Sequence, residues 1–230
     1  MKEYHKIETI FERDEKTKKL IIGKFRNQTV EYLKNNLWTF TEKVDGTNIR
    51  VYWDGHKVQY AGRTDKAVIP QHLLNKLNEI FGGEINEELF EQKFGEREVI
   101  LFGEGYGPKI QNGGLYRDDV NFILFDVMIN GNYQSRENVE EIANYFKIDI
   151  VPIVLEGTLE DGVNYVLHNR QSMIAKNGAE IEGVVGRTKV ETLDRTGKRN
   201  IVKIKYRDFK EIDWKEVLKR KSVNFEDLGV

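Results

Sequence analysis

The stretch TEKVDGTN, residues 41–48, places a lysine between the end of a predicted strand and a tight turn. An apolar and aromatic run, residues 49–53, resumes directly after the turn. A side chain at the junction of two strands projects from rigid backbone, so the amine of Lys43 can be aimed at a substrate. Lys43 is therefore the candidate nucleophile, although a single lysine in a turn is most often a solvated surface residue.

A second group of cations lies late in the chain, where Lys203 and Lys205 alternate with Val202 and Ile204. This alternation predicts a strand whose two ammonium groups leave the same face. One interpretation is a half-exposed strand with solvated lysines. The functional interpretation is a pair of fixed cations that faces a phosphate and lowers the pKa of a third lysine, which would keep that lysine neutral and nucleophilic.

Two glutamates next to glycines are candidate ligands. Glu104 lies between two glycines at the predicted end of a strand over residues 99–102, and Glu182 precedes Gly183 at another strand. Glycine lets a ligand approach the backbone closely, and a carboxylate there can bind a ribose hydroxyl or a metal ion. Each could equally be an exposed turn residue. An inventory of oxygen ligands without thiols favours Mg²⁺ or Mn²⁺ over Zn²⁺.

The pattern of elements predicts an α+β fold with mainly antiparallel sheets flanked by helices. Asp54-Gly55 predicts a hairpin with a two-residue turn between residues 51–53 and 56–61. Residues 38–40 lead into the predicted strand that carries Lys43, and the other predicted strands cover residues 7–11, 19–25, 121–129, 150–155, 181–187 and 200–206. The predicted helices cover residues 27–36, 70–81, 87–94, 135–147, 158–176 and 208–221.

Composition limits the possible functions. The 230 residues are 39% hydrophobic and 32% charged, enough for one large domain with a buried core. The net charge of −2 argues against a uniformly basic nucleic-acid binder. The absence of cysteine excludes disulfides, thiolate zinc sites and cysteine nucleophiles, and it fits a reducing cytoplasm. No apolar run is long enough for a membrane span, so we expect a cytoplasmic protein without a membrane partner.

Basic residues are frequent near the end of the chain, where RNA could bind. Acidic residues are interleaved with them, which favours an ordinary solvated helix over an RNA-binding surface. The basic residues are Arg195, Lys198, Arg199, Arg207, Lys210, Lys215, Lys219, Arg220 and Lys221.

Five short motifs follow one another in the chain: KVDGTN (43–48), FGEG (102–105), FILFD (122–126), EGVV (182–185) and VKIK (202–205). Together they resemble motifs I, III, IIIa, IV and V of the covalent nucleotidyltransferases, which include DNA ligases, RNA ligases and mRNA capping enzymes. The ending Gly46-Thr47-Asn48 is most similar to the RNA ligase 2 branch. Asp45 departs from that branch, which often has histidine at this position, and is usual in DNA ligases.

The resemblance implies a three-step reaction. Lys43 attacks the α-phosphorus of ATP and retains AMP, the AMP passes to the 5′-phosphate of an RNA end, and a 3′-hydroxyl displaces it to seal the strand. Mg²⁺ or Mn²⁺ is the implied metal. The resemblance implies that Lys203 and Lys205 neutralise phosphate charge, that Asn48 lies near the reacting phosphates and that Arg63 contacts the nucleotide and the 5′-phosphate. It implies that Glu104 binds the ribose or a metal ion and that Glu182 binds a metal ion. Phe125 is implied to stack on adenine, and Glu42 to take part in recognising it.

The resemblance also implies the ligase adenylation fold, and we expect residues 1–230 to form a single domain of this kind. Only residues 206–230 follow motif V, too few for an OB-fold or a helical C-terminal domain. A helper protein or an oligomer would then supply the missing grip on RNA. The alternatives are a DNA nick ligase, a guanylyltransferase and a noncatalytic RNA-binding module of the same fold.

Overall fold

Strand pairing in this chain is mostly antiparallel, and it builds two compact units from interleaved stretches of sequence. The structure, a computed structural model, describes residues 1–169, 171–176 and 178–209. Within these residues, unit 1 contains 1–5, 44–151 and the described part of 174–179. Unit 2 contains 6–43, the described part of 152–173 and 180–209.

The elements are numbered in chain order. The strands are β1 (Glu8–Thr9), β2 (Phe11–Arg13), β3 (Leu20–Phe25), β4 (Trp38–Glu42), β5 (Thr47–Trp53), β6 (Val58–Ala61), β7 (Val99–Tyr106), β8 (Asn121–Ile129), β9 (Asn132–Tyr133), β10 (Asp149–Ile150), β11 (Ile153–Gly157), β12 (Gly183–Thr188) and β13 (Ile201–Lys205). The helices are α1 (Gln28–Tyr32), α2 (Gln71–Phe81), α3 (Glu84–Phe94), α4 (Arg136–Phe146), α5 (Leu159–His168) and α6 (Tyr206–Phe209), with a 3₁₀ turn at Gly113–Leu115.

Unit 2 is built on a five-stranded sheet in the order β1-β13-β12-β4-β11. Only the short β1–β13 pair in this sheet is parallel. Alternation places Trp38 and Phe40 of β4 in the core, fully buried with Leu159 and Val166 of α5. Thr158 and Asp161 begin α5 with a reciprocal capping box, which fixes where this helix starts.

Unit 1 is built on a sheet in the order β10-β8-β7-β5-β6, with β9 added beside β8. Its central strands β7 and β8 are almost continuously apolar, because the sheet buries one core cluster with α2, α3 and α4 and further rings with residues 1–5. Leu73, Leu77 and Phe81 lie on one face of α2 and are fully buried, as helical spacing predicts. The predicted α+β class is confirmed.

Several predicted boundaries were wrong for identifiable reasons. The hairpin of β5 and β6 exists, but its turn has four residues, because Trp53 pairs with Val58 and the Asp54 carboxylate accepts hydrogen bonds from the backbone of His56 and Lys57. The predicted strand over 150–155 is two strands in different sheets, since it is interrupted at Pro152, which cannot donate to a ladder.

Two further boundaries differ from the predictions. Helix α5 ends at His168 rather than near residue 176, and Gln171 instead forms an isolated bridge with Glu180. Strand β7 runs on through Gly103, Glu104 and Gly105, so Glu104 lies within a strand and not at its end. The predicted closing helix is described only up to Phe209, and its remainder lies outside the described residues. The prediction of a single domain over residues 1–230 stays a prediction.

No helix within the described residues is long and apolar enough to cross a membrane.

Candidate active site

The register of three neighbouring strands in unit 2 assembles the predicted cations. Glu42 at the end of β4 pairs with Val184 of β12, and Gly183 of β12 pairs with Lys205 of β13. The backbone amide of Lys43 donates to the carbonyl of Gly183 at 2.9 Å, which carries the pairing one residue past β4. Residues that are distant in sequence are thus fixed next to one another by backbone hydrogen bonds.

Gly183 makes this register possible. A Cβ atom at this position would lie 2.0 Å from the carbonyl oxygen of Ile204, and backbone atoms cannot move aside as a flexible side chain could. Any other residue would therefore force β12 away from β13. The close approach of β12 and β13 therefore explains why the EGVV motif has a glycine at position 183, independently of any resemblance to a family.

Glu182 joins two of the predicted lysines. One carboxylate oxygen accepts from Nζ of Lys43 at 2.6 Å, and the other accepts from Nζ of Lys205. All three side chains are largely buried, with 23%, 12% and 13% exposure for Lys43, Glu182 and Lys205. Burial raises the pKa of Glu182, but the charge of Lys43 and the hydrogen bonds from both lysines outweigh it, so its net pKa is lowered.

Lys203 leaves β13 on the same side as Lys205, while Val202 and Ile204 between and beside them are buried. Burial, together with the positive charges of Lys205 and Lys43, lowers the pKa of Lys203 to about 8. The predicted alternation on β13 is confirmed. That the paired cations leave Lys43 neutral stays a prediction.

Glu42, beside the candidate nucleophile, is almost completely buried. Its carboxylate accepts from the hydroxyl of Ser172 and from the backbone amide of Met173 at 2.8 Å. Ser172 was not predicted as a site residue, because the sequence pattern placed it inside a helix that in fact ends earlier. Adenine recognition by Glu42 stays a prediction.

In unit 1, Asn48 of β5 pairs with Glu104 of β7, so the two predicted residues occupy neighbouring positions on adjacent strands. A Cβ atom on Gly46 would lie 2.3 Å from the carbonyl oxygen of Gly105, so the start of β5 can lie this close to β7 only because residue 46 is a glycine. The side-chain oxygen of Asn48 is buried and has no hydrogen-bond partner among the described residues. Buried polar atoms are rarely left unpaired, so this oxygen is available to a bound group.

Phe125 lies at a β-bulge. Phe102 pairs with Asp126, but the next residue, Gly103, pairs with Leu124, so Phe125 is the extra residue of β8. Its neighbours Phe122 and Leu124 are fully buried, whereas Phe125 is only partly buried. Phe122 and Leu124 face one core cluster of unit 1, and Phe125 packs with Ile123 on the opposite face of β8. Adenine stacking by Phe125 stays a prediction.

Arg63 lies in unit 1 on the loop of residues 62–69 between β6 and α2, where residues 63–68 are all exposed. An exposed guanidinium is well suited to phosphate, because its planar fork of donors matches the phosphate oxygens. Nucleotide contact by Arg63 stays a prediction.

The carboxylates can be tested against the predicted metal. No group of three or more His, Asp or Glu side chains within the described ranges could hold a metal ion by itself. Mg²⁺ commonly uses one or two protein carboxylates and takes its other ligands from waters and substrate phosphates. Glu104 in unit 1 and Glu182 in unit 2 are each an oxygen donor of the kind that Mg²⁺ or Mn²⁺ accepts, and both assignments stay predictions.

Comparison with solved structures finds the same fold in RNA ligase of Naegleria gruberi. An apo mutant of that enzyme matches with a TM-score of 0.59 and 18% identity, over 80% of this chain and 53% of that chain. A mutant with ATP and Mn matches with a TM-score of 0.59 and 17% identity, over 90% and 60%. The structure with PPi matches with a TM-score of 0.58 and 18% identity, over 91% and 62%.

This chain therefore spans between about half and three fifths of the length of these solved relatives. None of the curated proteins compared with it matches. The family model of RNA ligase matches residues 36–205, a range that contains all five motifs and every predicted site residue. The chain belongs to the RNA ligase family.

Proposed function

We propose that this protein is an ATP-dependent RNA ligase that joins a 3′-hydroxyl to a 5′-phosphate through a lysyl-AMP intermediate. Membership of the RNA ligase family supports the reaction class. The observation that carries the proposal is the cluster in unit 2, where Lys43 and Lys205 share the carboxylate of Glu182 and Lys203 emerges beside them. A noncatalytic RNA-binding module would not need a buried lysine held at a carboxylate.

In the first step Lys43 attacks the α-phosphorus of ATP. A nitrogen–phosphorus bond forms, the bond from the α-phosphorus to the bridging oxygen breaks, and pyrophosphate leaves with the electron pair. Lys43 must first lose a proton and its ion pair with Glu182, because an ammonium has no lone pair. Lys203 and Lys205 neutralise the charge that develops on the phosphate oxygens, which is electrostatic catalysis by groups already in place.

In the second step the AMP passes from Lys43 to the 5′-phosphate of an RNA end, and the lysine is regenerated. In the third step a 3′-hydroxyl attacks that phosphate, the phosphodiester forms and AMP leaves. Both steps move charge onto phosphate oxygens, so the same two cations, Lys203 and Lys205, serve throughout.

Residues of unit 1 supply recognition in this proposal. Glu104 binds the ribose, Phe125 stacks on adenine, Asn48 contacts the reacting phosphates and Arg63 contacts the nucleotide and the 5′-phosphate. Glu42 of unit 2 takes part in reading adenine. The unsatisfied oxygen of Asn48 and the partial burial of Phe125 support these roles.

A divalent ion, Mg²⁺ or Mn²⁺, completes the proposed site. Glu104 and Glu182 would hold it, and it would supply a positive charge that screens the phosphates of ATP. Solved structures of Naegleria gruberi RNA ligase with ATP and Mn, and with AMP and Mn, support both the nucleotide and the metal for this chain.

We also propose that residues 1–230 act as a single adenylation domain on RNA ends in the cytoplasm. A helper protein or a second copy would supply the grip that additional domains give to longer ligases.

The test is covalent labelling with α-³²P-ATP in the presence of Mg²⁺. We expect label on the wild-type protein and none on Lys43→Arg, which keeps a positive charge beside Glu182 but cannot become a neutral nucleophile. Lys189→Ala, which breaks an ion pair with Glu156 elsewhere in unit 2, is the control and should label normally. Label on Lys43→Arg, or none on the wild type, would contradict the proposal.

A further inference from the structure

Arg50 is a fully buried arginine that none of the five motifs includes. It lies in the middle of β5, between β6 and β7, and its side chain has no exposed surface. A buried guanidinium is costly unless its donors are satisfied and its charge is paired. The partners of Arg50 therefore indicate what it does.

Each nitrogen of the Arg50 guanidinium has a partner in unit 1. Nε donates to the carbonyl of Gly62 at 2.8 Å, one Nη donates to the carbonyl of Met1 at 2.9 Å, and the other donates to the Asp65 carboxylate at 2.8 Å. Gly62 and Asp65 flank Arg63 in the loop of residues 62–69. One buried side chain thus ties this loop to the sheet on both sides of the proposed phosphate-binding arginine.

Ile69, at the end of the loop, packs against the core of unit 1, whereas the residues around Arg63 lie at the surface. Residues 63–68 are all exposed, and one backbone hydrogen bond, from Ala67 to Thr64 at 3.1 Å, closes it internally. A segment with few buried contacts opens locally at low cost unless a specific interaction prevents this. The carboxylate of Asp65 is itself 62% exposed, so Arg50 reaches from the core to the surface.

We propose that Arg50 is a positioning residue that fixes the loop of residues 62–69 and thereby holds the guanidinium of Arg63 ready for a nucleotide or RNA 5′-phosphate. The inference rests on the proposed function, because it assumes that Arg63 contacts phosphate. Arg50 itself touches no substrate in this account. Its three hydrogen bonds reduce the number of loop conformations that must be ordered when phosphate binds.

The first experiment measures loop anchoring without measuring activity. Arg50→Lys keeps the charge but cannot reach three separated acceptors, and it leaves the sequence around Arg63 and Lys66 unchanged. We expect trypsin to cleave the native variant after these two residues about tenfold faster than wild type. Arg136→Lys is the matched control, since Arg136 also donates to a carboxylate and a carbonyl in unit 1, and it should not change cleavage there. Equal cleavage of Arg50→Lys and wild type would overturn the inference.

The second experiment is a double-mutant cycle on kcat/KM for lysine adenylation and for sealing of a pre-adenylated RNA end. We expect Arg50→Lys and Arg63→Ala each to lower at least one of these by about tenfold, and the double variant to be no worse than Arg63→Ala. Independent, multiplicative losses would overturn the inference. If Arg50→Lys does not fold, Asp65→Ala takes its place, because it removes one anchor of the loop while Arg50 keeps its hydrogen bonds to the carbonyls of Gly62 and Met1.

The two experiments separate the failure of this inference from that of the proposed function. Absence of lysine adenylation in the wild-type protein would reject the function and the inference with it. If the wild-type protein adenylates normally and Arg63→Ala lowers kcat/KM while Arg50→Lys does not, only the positioning role of Arg50 is rejected. A loss for Arg50→Lys without one for Arg63→Ala would reject it too.

Discussion

The shared carboxylate of Glu182 gives Lys43 a defined resting state. Two ammonium groups close to one another repel, and a single buried carboxylate that bonds both of them removes this repulsion. The same contact directs the side chain of Lys43. In the proposed reaction Lys43 must leave this ion pair before it attacks ATP, so part of the binding energy of ATP would be used to free the nucleophile.

Lys203 should destabilise the folded protein at neutral pH. Its pKa is about 8 in the folded state and 10.5 for an unperturbed lysine, so below pH 8 both states carry the charge and the folded state carries it at a cost. Between pH 8 and 10.5 only the unfolded state holds the proton, and this cost disappears. We expect Lys203→Met to be more stable than wild type at pH 7 by about 1–2 kcal/mol, a figure reduced for partial exposure.

The measurement is the free energy of unfolding of both proteins from pH 7 to 10.5. The advantage of Lys203→Met should shrink steadily above pH 8, while adenylation by this variant falls by about a hundredfold or more because the phosphate loses a fixed cation. Lys57→Met, at an exposed position of the β5–β6 turn, is the control for removing a lysine. A stability difference that does not change with pH would contradict the burial of the Lys203 charge.

Strand β8 packs its two faces differently around Phe125. Phe122 and Leu124 are fully buried, and Phe125, the extra residue of the bulge, is not. Next to it, the buried carboxylate of Asp126 accepts from the hydroxyl of Tyr4 at 2.8 Å, which holds the backbone where the ladder is interrupted. Phe125 lies with Ile123 on the other face of β8, where it packs beside a second hydrophobic cluster and meets the ring of Tyr4 edge-on.

One alanine variant of β8 should mainly lower stability, and another should mainly weaken ATP binding. We expect Phe122→Ala to lower the free energy of unfolding by about 3–5 kcal/mol, because it leaves a cavity among buried rings. Phe125→Ala should cost less stability but raise the KM for ATP by about tenfold, since stacking on a base contributes about 1–3 kcal/mol. Thermal unfolding and adenylation kinetics on both variants test this. A KM for ATP that is unchanged in Phe125→Ala would reject the stacking role.

Elements with strong periodicity could be predicted from the sequence, and their irregular ends could not. The bounds of β8 and α4 were predicted within a residue, because an apolar run and a Ser135 cap are local signals. The four-residue turn after Trp53 depends on side-chain hydrogen bonds of Asp54, and the division of residues 150–157 between two sheets depends on partners elsewhere in the chain. The bulge at Phe125 likewise arises from the pairing of β7 with β8, which no single strand encodes.

At the scale of the whole molecule, the candidate site could be predicted only as a set of residue types. The order of five motifs identified Lys43, Glu182 and Lys205, and the strand register brings these three together. The sequence could not show that Glu182 bonds both lysines, or that Arg50 and Ser172 support other residues. Each of these contacts joins positions that are brought together by the fold and belong to no short motif.

The preference for RNA over DNA at a nick is a property of the whole molecule. We expect a nick with an RNA 3′-hydroxyl strand to be sealed about five- to tenfold faster than the same nick in DNA, because a lost contact to a 2′-hydroxyl is worth roughly 1–1.5 kcal/mol. Pre-adenylated 5′ ends bypass the reaction of Lys43 with ATP, so the comparison reports only on strand recognition and sealing. Restoring ribose at the terminal nucleotides alone should recover most of the rate. Equal sealing of DNA and RNA nicks would instead identify a ligase that does not discriminate between the two sugars. Asp45, the residue typical of DNA ligases in the first motif, would then be the first position to exchange for histidine.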